Sequence, residues 1–175
     1  MADSQGSASF EMDSPIPTGS WTLYFHYPEE TKWTLNTFIS LGSMKTWGDF
    51  WSLIEALKSE TFADGMFFIM KDPIPPLWED HRSIRGGCYS FRAQKKDAPD
   101  VYMNYIIATM LNGLTTDSKN IINGLSICQK RGFNIIKVWN RDAQLYTQCT
   151  DLVSGIHPSI RESDIIYTPF VQKKL

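Results

Sequence analysis

Pro76-Leu77-Trp78-Glu79-Asp80, running through His81-Arg82-Ser83-Ile84 to Arg85-Gly86-Gly87, sets an indole beside a carboxylate in a proline-punctuated loop. Before it, Met66 to Met70 is a short apolar run, ended by Asp72-Pro73 and Pro75-Pro76, and reads as a buried strand. After it, Ile84 to Arg92 reads as a second strand, with Gly86-Gly87 permitting a bulge or a close backbone approach. A tryptophan held in such a loop is not explained by core packing. Trp33 sits in another polar loop and Trp139 ends a strand-like run, so three indoles lie outside any obvious core pattern. Flat aromatic faces with one carboxylate suit a planar, electron-poor ring that donates hydrogen bonds.

Outward from that loop, the elements fall into hairpins. Trp21 to Tyr27 is rich in β formers and stops at Pro28; Thr34 to Leu41 is its expected hairpin partner. Thr46 and Asp49 have capping-box spacing and open a predicted helix to about Lys58, with Trp47, Phe50, Trp51, Ile54 and Leu57 on one apolar face. Pro99 suits the first turn of a helix running to about Leu111, halted by Asn112-Gly113. Leu125 to Gln129 and Phe133 to Trp139 flank Lys130-Arg131-Gly132 as a hairpin. A third helix is expected near Asp142 to Val153 and a last strand from about Ile165 to Val171. The pattern predicts an α+β single domain, a curved antiparallel sheet with about three helices on its convex face and an open concave face.

The chain of 175 residues is long enough for one real core, and its 42% apolar content suits a globular domain. Residues 1–20 are polar and acidic, and are expected to be a flexible tail ahead of a folded domain over 21–175. They lack the basic start and apolar stretch of a signal peptide, and no apolar run is long enough to span a bilayer. Cys88, Cys128 and Cys149 have no metal-type spacing and read as reduced thiols of a cytosolic or nuclear protein, with the cytoplasm the expected location. Seventeen Lys+Arg against nineteen Asp+Glu give a formal charge of −2. No basic face for gripping long nucleic acid is evident, so any nucleic-acid target should be small and chemically specific.

There is no glycine-rich phosphate loop, His-Glu-x-x-His, Cys-x-x-Cys or nucleophile elbow, and no cofactor, metal or catalytic group is expected. His26, His81 and His157 are scattered and read as surface or loop residues. Trp21, Trp47 and Trp51 follow strand or helix patterns, so core packing is their default, although Trp51 can edge the helical face.

From about Trp21 to Val171 the chain resembles the cap-binding translation initiation factor 4E family. The resemblance rests on Trp78-Glu79 followed by Arg85-Gly86-Gly87, on Trp33 after the first strand, on Asp49-Phe50-Trp51 in the first helix, and on Val138-Trp139. It implies that the concave face binds the 7-methylguanosine 5′ cap of mRNA. Trp33 and Trp78 would sandwich the methylated base, Glu79 would accept from its N1–H and N2–H₂, and Trp139 would pack near the N7-methyl. Lys130 and Arg131 are the candidates for the phosphates, with Lys137 facing either way according to register. Cys88 stands where the family usually has an arginine, which implies a weaker hold on phosphate.

On the convex face the resemblance implies a scaffold initiation factor of the 4G type, bound through a helical motif that contacts Trp51. The family's Trp-Leu-Glu segment is here Asn104-Tyr105-Ile106, so Tyr105 and Ile106 are expected to form a modified apolar groove. The chain ends at Leu175, soon after the last strand, and the resemblance then implies a more open pocket rim. The implied function is recruitment of capped mRNA to translation. A repressor or storage factor that cannot engage the productive scaffold, an interaction module that has lost cap affinity, and a curved-sheet enzyme using Glu79 as acid or base remain as alternatives. Co-purification of a scaffold factor, discrimination of methylated from unmethylated ligand, and turnover of a cap analogue separate them.

Overall fold

The computed structural model describes residues 11–172. Seven strands form one antiparallel sheet: β1 (Trp21–His26), β2 (Phe38–Met44), β3 (Met66–Lys71), β4 (Gly87–Gln94), β5 (Ile122–Gln129), β6 (Phe133–Asn140) and β7 (Ile166–Pro169). Their spatial order is β2-β1-β3-β5-β6-β4-β7. Helices α1 (Trp47–Leu57) and α2 (Ala98–Met110) lie on one face, together with a 3-10 segment at Ser59–Asp64. The α+β sheet-and-helix architecture read from the sequence is thus present.

Period-two alternation divides the strands cleanly between two apolar clusters. Leu23, Phe67, Ile69, Phe91, Leu125, Ile127, Ile136 and Val138 point to the helices and form the main core. Their neighbours Phe68, Met70, Cys88 and Trp139 point the other way and, with Phe38 and Ile74, form a second cluster. The register runs Met70–Gly124–Trp139–Cys88 across four strands, and one row along it runs Phe68–Ser126–Lys137–Ser90. This second face carries the site.

The helices begin where the sequence says they should. Thr46 Oγ1 accepts from the Asp49 N–H at 3.1 Å, and Asp49 Oδ2 accepts from the Thr46 N–H at 3.0 Å, closing the capping box of α1. The next orphan donors of α1 are met from upstream: Trp47 N–H donates to Ser14 O and Gly48 N–H to Met12 O. Ile16 beside them is buried in the main core. Of the expected tail, residues 1–10 lie outside the described residues, while residues 12–16 are packed onto α1 and the fold starts before Trp21.

Three sequence expectations are corrected. Residues 142–153 form no α-helix: the Asp142 carboxylate accepts from the Gln144 and Leu145 N–H groups, a local turn that competes with helix, and only a 3-10 turn at Cys149–Asp151 follows. The third helical segment is instead Ser59–Asp64, which buries Phe62 between Phe67 and Tyr102. The strand expected from Ile84 starts at Gly87, because Asp80 O accepts from both Ser83 and Ile84 N–H and holds 80–84 as a turn. The strand expected from Thr34 starts at Phe38, after a 3-10 turn at Leu35–Thr37.

Candidate functional site

A cavity of about 390 Å³ opens on the second face of the sheet. Trp33, from the β1–β2 loop, and Trp78 and Glu79, from the β3–β4 loop, form its walls, over a floor that includes Phe68 and Trp139. The four residues singled out first in the sequence therefore converge from three separate segments.

Each wall indole is backed by another ring. His26, at the end of β1 and fully buried, stacks on Trp33 with ring centroids 4.0 Å apart and planes within 2°. Its Nε2 lies 3.0 Å from the Lys32 carbonyl and its Nδ1 3.0 Å from the Tyr27 carbonyl, so a ring N–H donates to the loop in either tautomer. His26 thereby holds both the ring and the loop that carries it. Trp78 lies against Phe170 (6.2 Å, 27°), which in turn meets the edge of Trp139 at 5.1 Å. Both wall tryptophans are still nearly half exposed, at 48% and 42%. Such exposure of a large apolar ring, twice around one cavity, is the signature of a binding surface.

Trp139 is buried, and its Nε1–H donates to Ser126 Oγ at 3.3 Å, so the floor indole is fixed in orientation. Glu79 is exposed and has no hydrogen-bond or ion-pair partner among the described residues. Its neighbour Asp80 is engaged instead. It accepts from Arg82 Nε at 2.8 Å and Nη2 at 2.9 Å, and those bonds hold its carboxyl down at about 2. The pair clamps the turn after Trp78-Glu79 and leaves Glu79 free to meet a ligand.

The cations are rearranged relative to expectation. Lys130 and Lys137 line the cavity, whereas Arg131 is exposed at the hairpin tip and is not among its lining residues. Lys137 faces the cavity because it alternates with Val138, which faces the core. Cys88 is buried in the second cluster beside Trp139, with its thiol 3.5 Å from Ser90 Oγ. Among the described residues no group of His, Cys, Asp and Glu is arranged to hold a metal.

On the helix side, Trp51 projects from α1, 40% exposed and edge-on to buried Phe50. Tyr105 and Ile106 do not form the expected groove. They are 2% and 1% exposed, on the face of α2 that packs on the sheet, and the Tyr105 ring lies 4.7 Å from Phe91. Burial raises the Tyr105 hydroxyl to about 12. Positions 98, 101, 102, 105, 106 and 109 repeat at three and four residues, the buried stripe of an amphipathic helix.

The family model for eukaryotic initiation factor 4E matches residues 18–168, from the N-terminal lead-in to β7. The chain belongs to that family. Initiation factor 4E of Saccharomyces cerevisiae is 25% identical over 142 residues, 77% of this chain and 65% of the yeast protein. That of Dictyostelium discoideum is 29% identical over 160 residues, 85% of this chain and 62% of the other. The chain thus spans just under two thirds of the length of these relatives. Among solved structures, initiation factor 4E-3 of Ascaris suum in complex with m7G cap superposes with a TM-score of 0.66 at 20% identity, covering 77% of each chain. Schistosome initiation factor 4E complexed with m7GpppA and 4E-BP superposes with a TM-score of 0.67 at 18% identity, covering 77% of this chain and 75% of the other. In this initiation factor 4E fold, the cavity is bordered by Trp33, Trp78, Glu79 and Trp139, with Lys130 and Lys137 as its cations. No helix among the described residues is long and apolar enough to cross a membrane.

His26, Phe170 and Lys137 are the contributors that sequence reasoning missed or left open. His26 carried one usable signal: it follows Tyr24 at period two, on the strand face opposite the core residues Leu23 and Phe25.

Proposed function

We propose that this chain is a cap-binding translation factor that holds 7-methylguanosine between Trp33 and Trp78. The carrying observation is that two half-exposed, ring-backed indoles and an unpartnered carboxylate border one cavity. N7-methylation leaves the base with a delocalised positive charge, so each indole contributes a cation–π term of about 0.5–2 kcal/mol beyond stacking of about 1–3 kcal/mol. Glu79 accepts from the base N1–H and N2–H₂, bonds to a charged group worth roughly 1.5–3 kcal/mol each. Adenine offers no such donor pair and is rejected. Trp139 packs beside the methyl group.

Lys130 and Lys137 take the phosphates. Two lysines, with Cys88 and Arg131 contributing no charge to the cavity, give a lighter hold on phosphate and a shallow salt dependence. The relatives in complex with m7G cap and with 4E-BP support the same reading, with an apolar helix of a scaffold or regulatory partner meeting Trp51. Nothing in this arrangement makes or breaks a bond, and the protein acts as a binding module in the cytoplasm. The buried Tyr105 and Ile106 leave Trp51 as the exposed large apolar side chain of α1. A helical scaffold peptide should lose at least about fivefold in affinity on Trp51→Ala; equal capture by both forms removes Trp51 from the interface.

Tryptophan-fluorescence titration with 7-methyl-GTP and GTP tests the central reading. Saturable quenching is expected for the methylated ligand, much weaker for GTP, abolished by Trp78→Ala and weakened about 10–100-fold by Glu79→Gln. Equal quenching by both nucleotides would sink it.

A further inference from the structure

We propose that the outer part of the cavity seats the first transcribed nucleoside of a capped RNA, on an apolar shelf set between separated cations. The inference deepens the cap-binding reading above and rests on it. The shelf is one row across three strands: Met66 of β3 pairs with Cys128 of β5, and Cys128 with Ile135 of β6. All three side chains line the same cavity as Trp33, Trp78 and Glu79.

Register fixes where the shelf lies. Trp139, Lys137 and Ile135 follow one another at period two on the cavity face of β6. Lys137 therefore stands about 7 Å along the strand from the floor indole, and Ile135 about 13 Å. Beyond the shelf, Lys130 follows Cys128 at the same period and also lines the cavity. Lys137 is opposite Ser126, four residues before Lys130, so the two lysine backbones are about 13 Å apart in the strand direction. A ligand leaving the base slot along β6 meets Lys137 first, then apolar surface, and only then Lys130.

Packing does not account for the shelf. Met66, Cys128 and Ile135 are half-buried, and Cys128 and Ile135 belong to neither apolar cluster of the sheet. Apolar surface left open inside a cavity is stabilised when a flat ring covers it. The Cys128 thiol donates to the Gln129 carbonyl at 3.5 Å, so the shelf keeps no strong donor to select one base over another.

The row ends in a third cation. Arg92 of β4 is directly opposite Ile135, and its guanidinium lies 4.7 Å over the Phe133 ring. It has no carboxylate partner among the described residues. Ile135 also lines a second cavity, of about 630 Å³, that Arg92 borders, so the two cavities meet at that side chain. Of the carboxylates in the second cavity, Asp164 is held by Arg161 at 3.1 Å and Asp97 stands at the start of α2. Lys137, the shelf and Arg92 thus come in the order of the groups in a capped RNA: bridging phosphates, nucleoside, phosphodiester. A guanidinium held against a ring is suited to the last of these.

The test measures affinity for 7-methyl-GTP, m7GpppA and m7GpppApG across a salt series. The dinucleotide m7GpppA carries less negative charge than 7-methyl-GTP, so phosphate attraction alone gives it equal or weaker binding. The shelf instead makes it bind wild type tighter by about fivefold or more. Cys128→Ser/Ile135→Thr makes the shelf polar while keeping residues that strands accept, with Ile135→Thr alone as the substitute if melts show the double variant unfolded. Either should bring m7GpppA to within about twofold of 7-methyl-GTP, whose own affinity stays within about twofold of wild type. The added phosphodiester of m7GpppApG should steepen the wild-type salt slope by roughly 0.7, an increment that Arg92→Ala loses. No dinucleotide gain in wild type, or a gain that survives in the shelf variant, overturns the shelf and leaves the cap reading standing. An increment unchanged in Arg92→Ala removes Arg92 from the path. If 7-methyl-GTP itself fails to bind wild type, the cap reading falls and the shelf with it.

Discussion

Trp33 owes its pose to a residue seven positions earlier. The His26 ring beneath it contributes an aromatic contact of about 0.5–1.5 kcal/mol and a hydrogen bond to a loop carbonyl, that of Tyr27 or of Lys32. Truncating it frees the loop and unbacks the indole. His26→Ala should therefore weaken 7-methyl-GTP binding about 5–30-fold, and His26→Phe, which restores the ring but not the hydrogen bond, should fall between; thermal melts check that both fold. Full affinity in a folded His26→Ala protein would leave Trp33 held by its loop alone. That Trp33, Trp78 and Glu79 stand apart from the core was legible because loop indoles beside a carboxylate break the core pattern, and the structure brings them to one cavity with Trp139. His26 was not, because a histidine among β formers looks the same whether it faces solvent or a ring. Arg131 and Lys137 exchanged roles for a similar reason: the hairpin turn sets which of them faces the cavity, and composition around Lys130-Arg131-Gly132 does not specify it.

Among the elements, the β6 exit is the joint on which the site turns. Asn140 follows Trp139 and is fully buried. Its Oδ1 accepts from Tyr167 Oη at 2.8 Å and from Gly87 N–H at 3.2 Å, while its Nδ2 donates to Asn120 Oδ1 and to the Asp142 and Tyr146 carbonyls. One side chain so joins β4, β6, β7 and the turn after β6. Asn140→Ala strands several of these partners, and a loss of about 2–4 kcal/mol in urea unfolding is expected, against a typical surface change of a few tenths. Gly86 explains the glycine pair beside it, since a Cβ there would run into the Asn140 carbonyl. The sequence reading had offered a bulge or a close approach, and close approach is what occurs. Strand hairpins and the two long helices were legible because period and caps agree. The false helix at 142–153 and the missed 3-10 turn at Ser59–Asp64 show the opposite case, where a polar side chain or one buried phenylalanine outweighs local propensity.

For the molecule as a whole, charge and topology act together. The formal charge of the chain is −2, and the cations that line the cavity are Lys130 and Lys137, both brought there by the β5–β6 hairpin. The Asp80–Arg82 clamp closes the turn after Trp78-Glu79. Its carboxyl is held at about 2 by Arg82, below the ordinary 3.8, so its stabilising contribution is complete above about pH 4 and is lost as pH falls towards 2. Thermal melts of wild type and Asp80→Asn should differ near neutrality and converge across that window; a constant difference down to pH 2 would mean the clamp adds nothing. The two walls of the cavity are also completed at opposite ends of synthesis. Trp33 and its backing ring belong to the first hairpin, whereas Phe170, which backs Trp78, follows the last and shortest strand. A chain cut short of Phe170 keeps Trp33 and its backing ring but lacks the ring behind Trp78. No N-terminal fragment stopping short of that residue holds both backed walls.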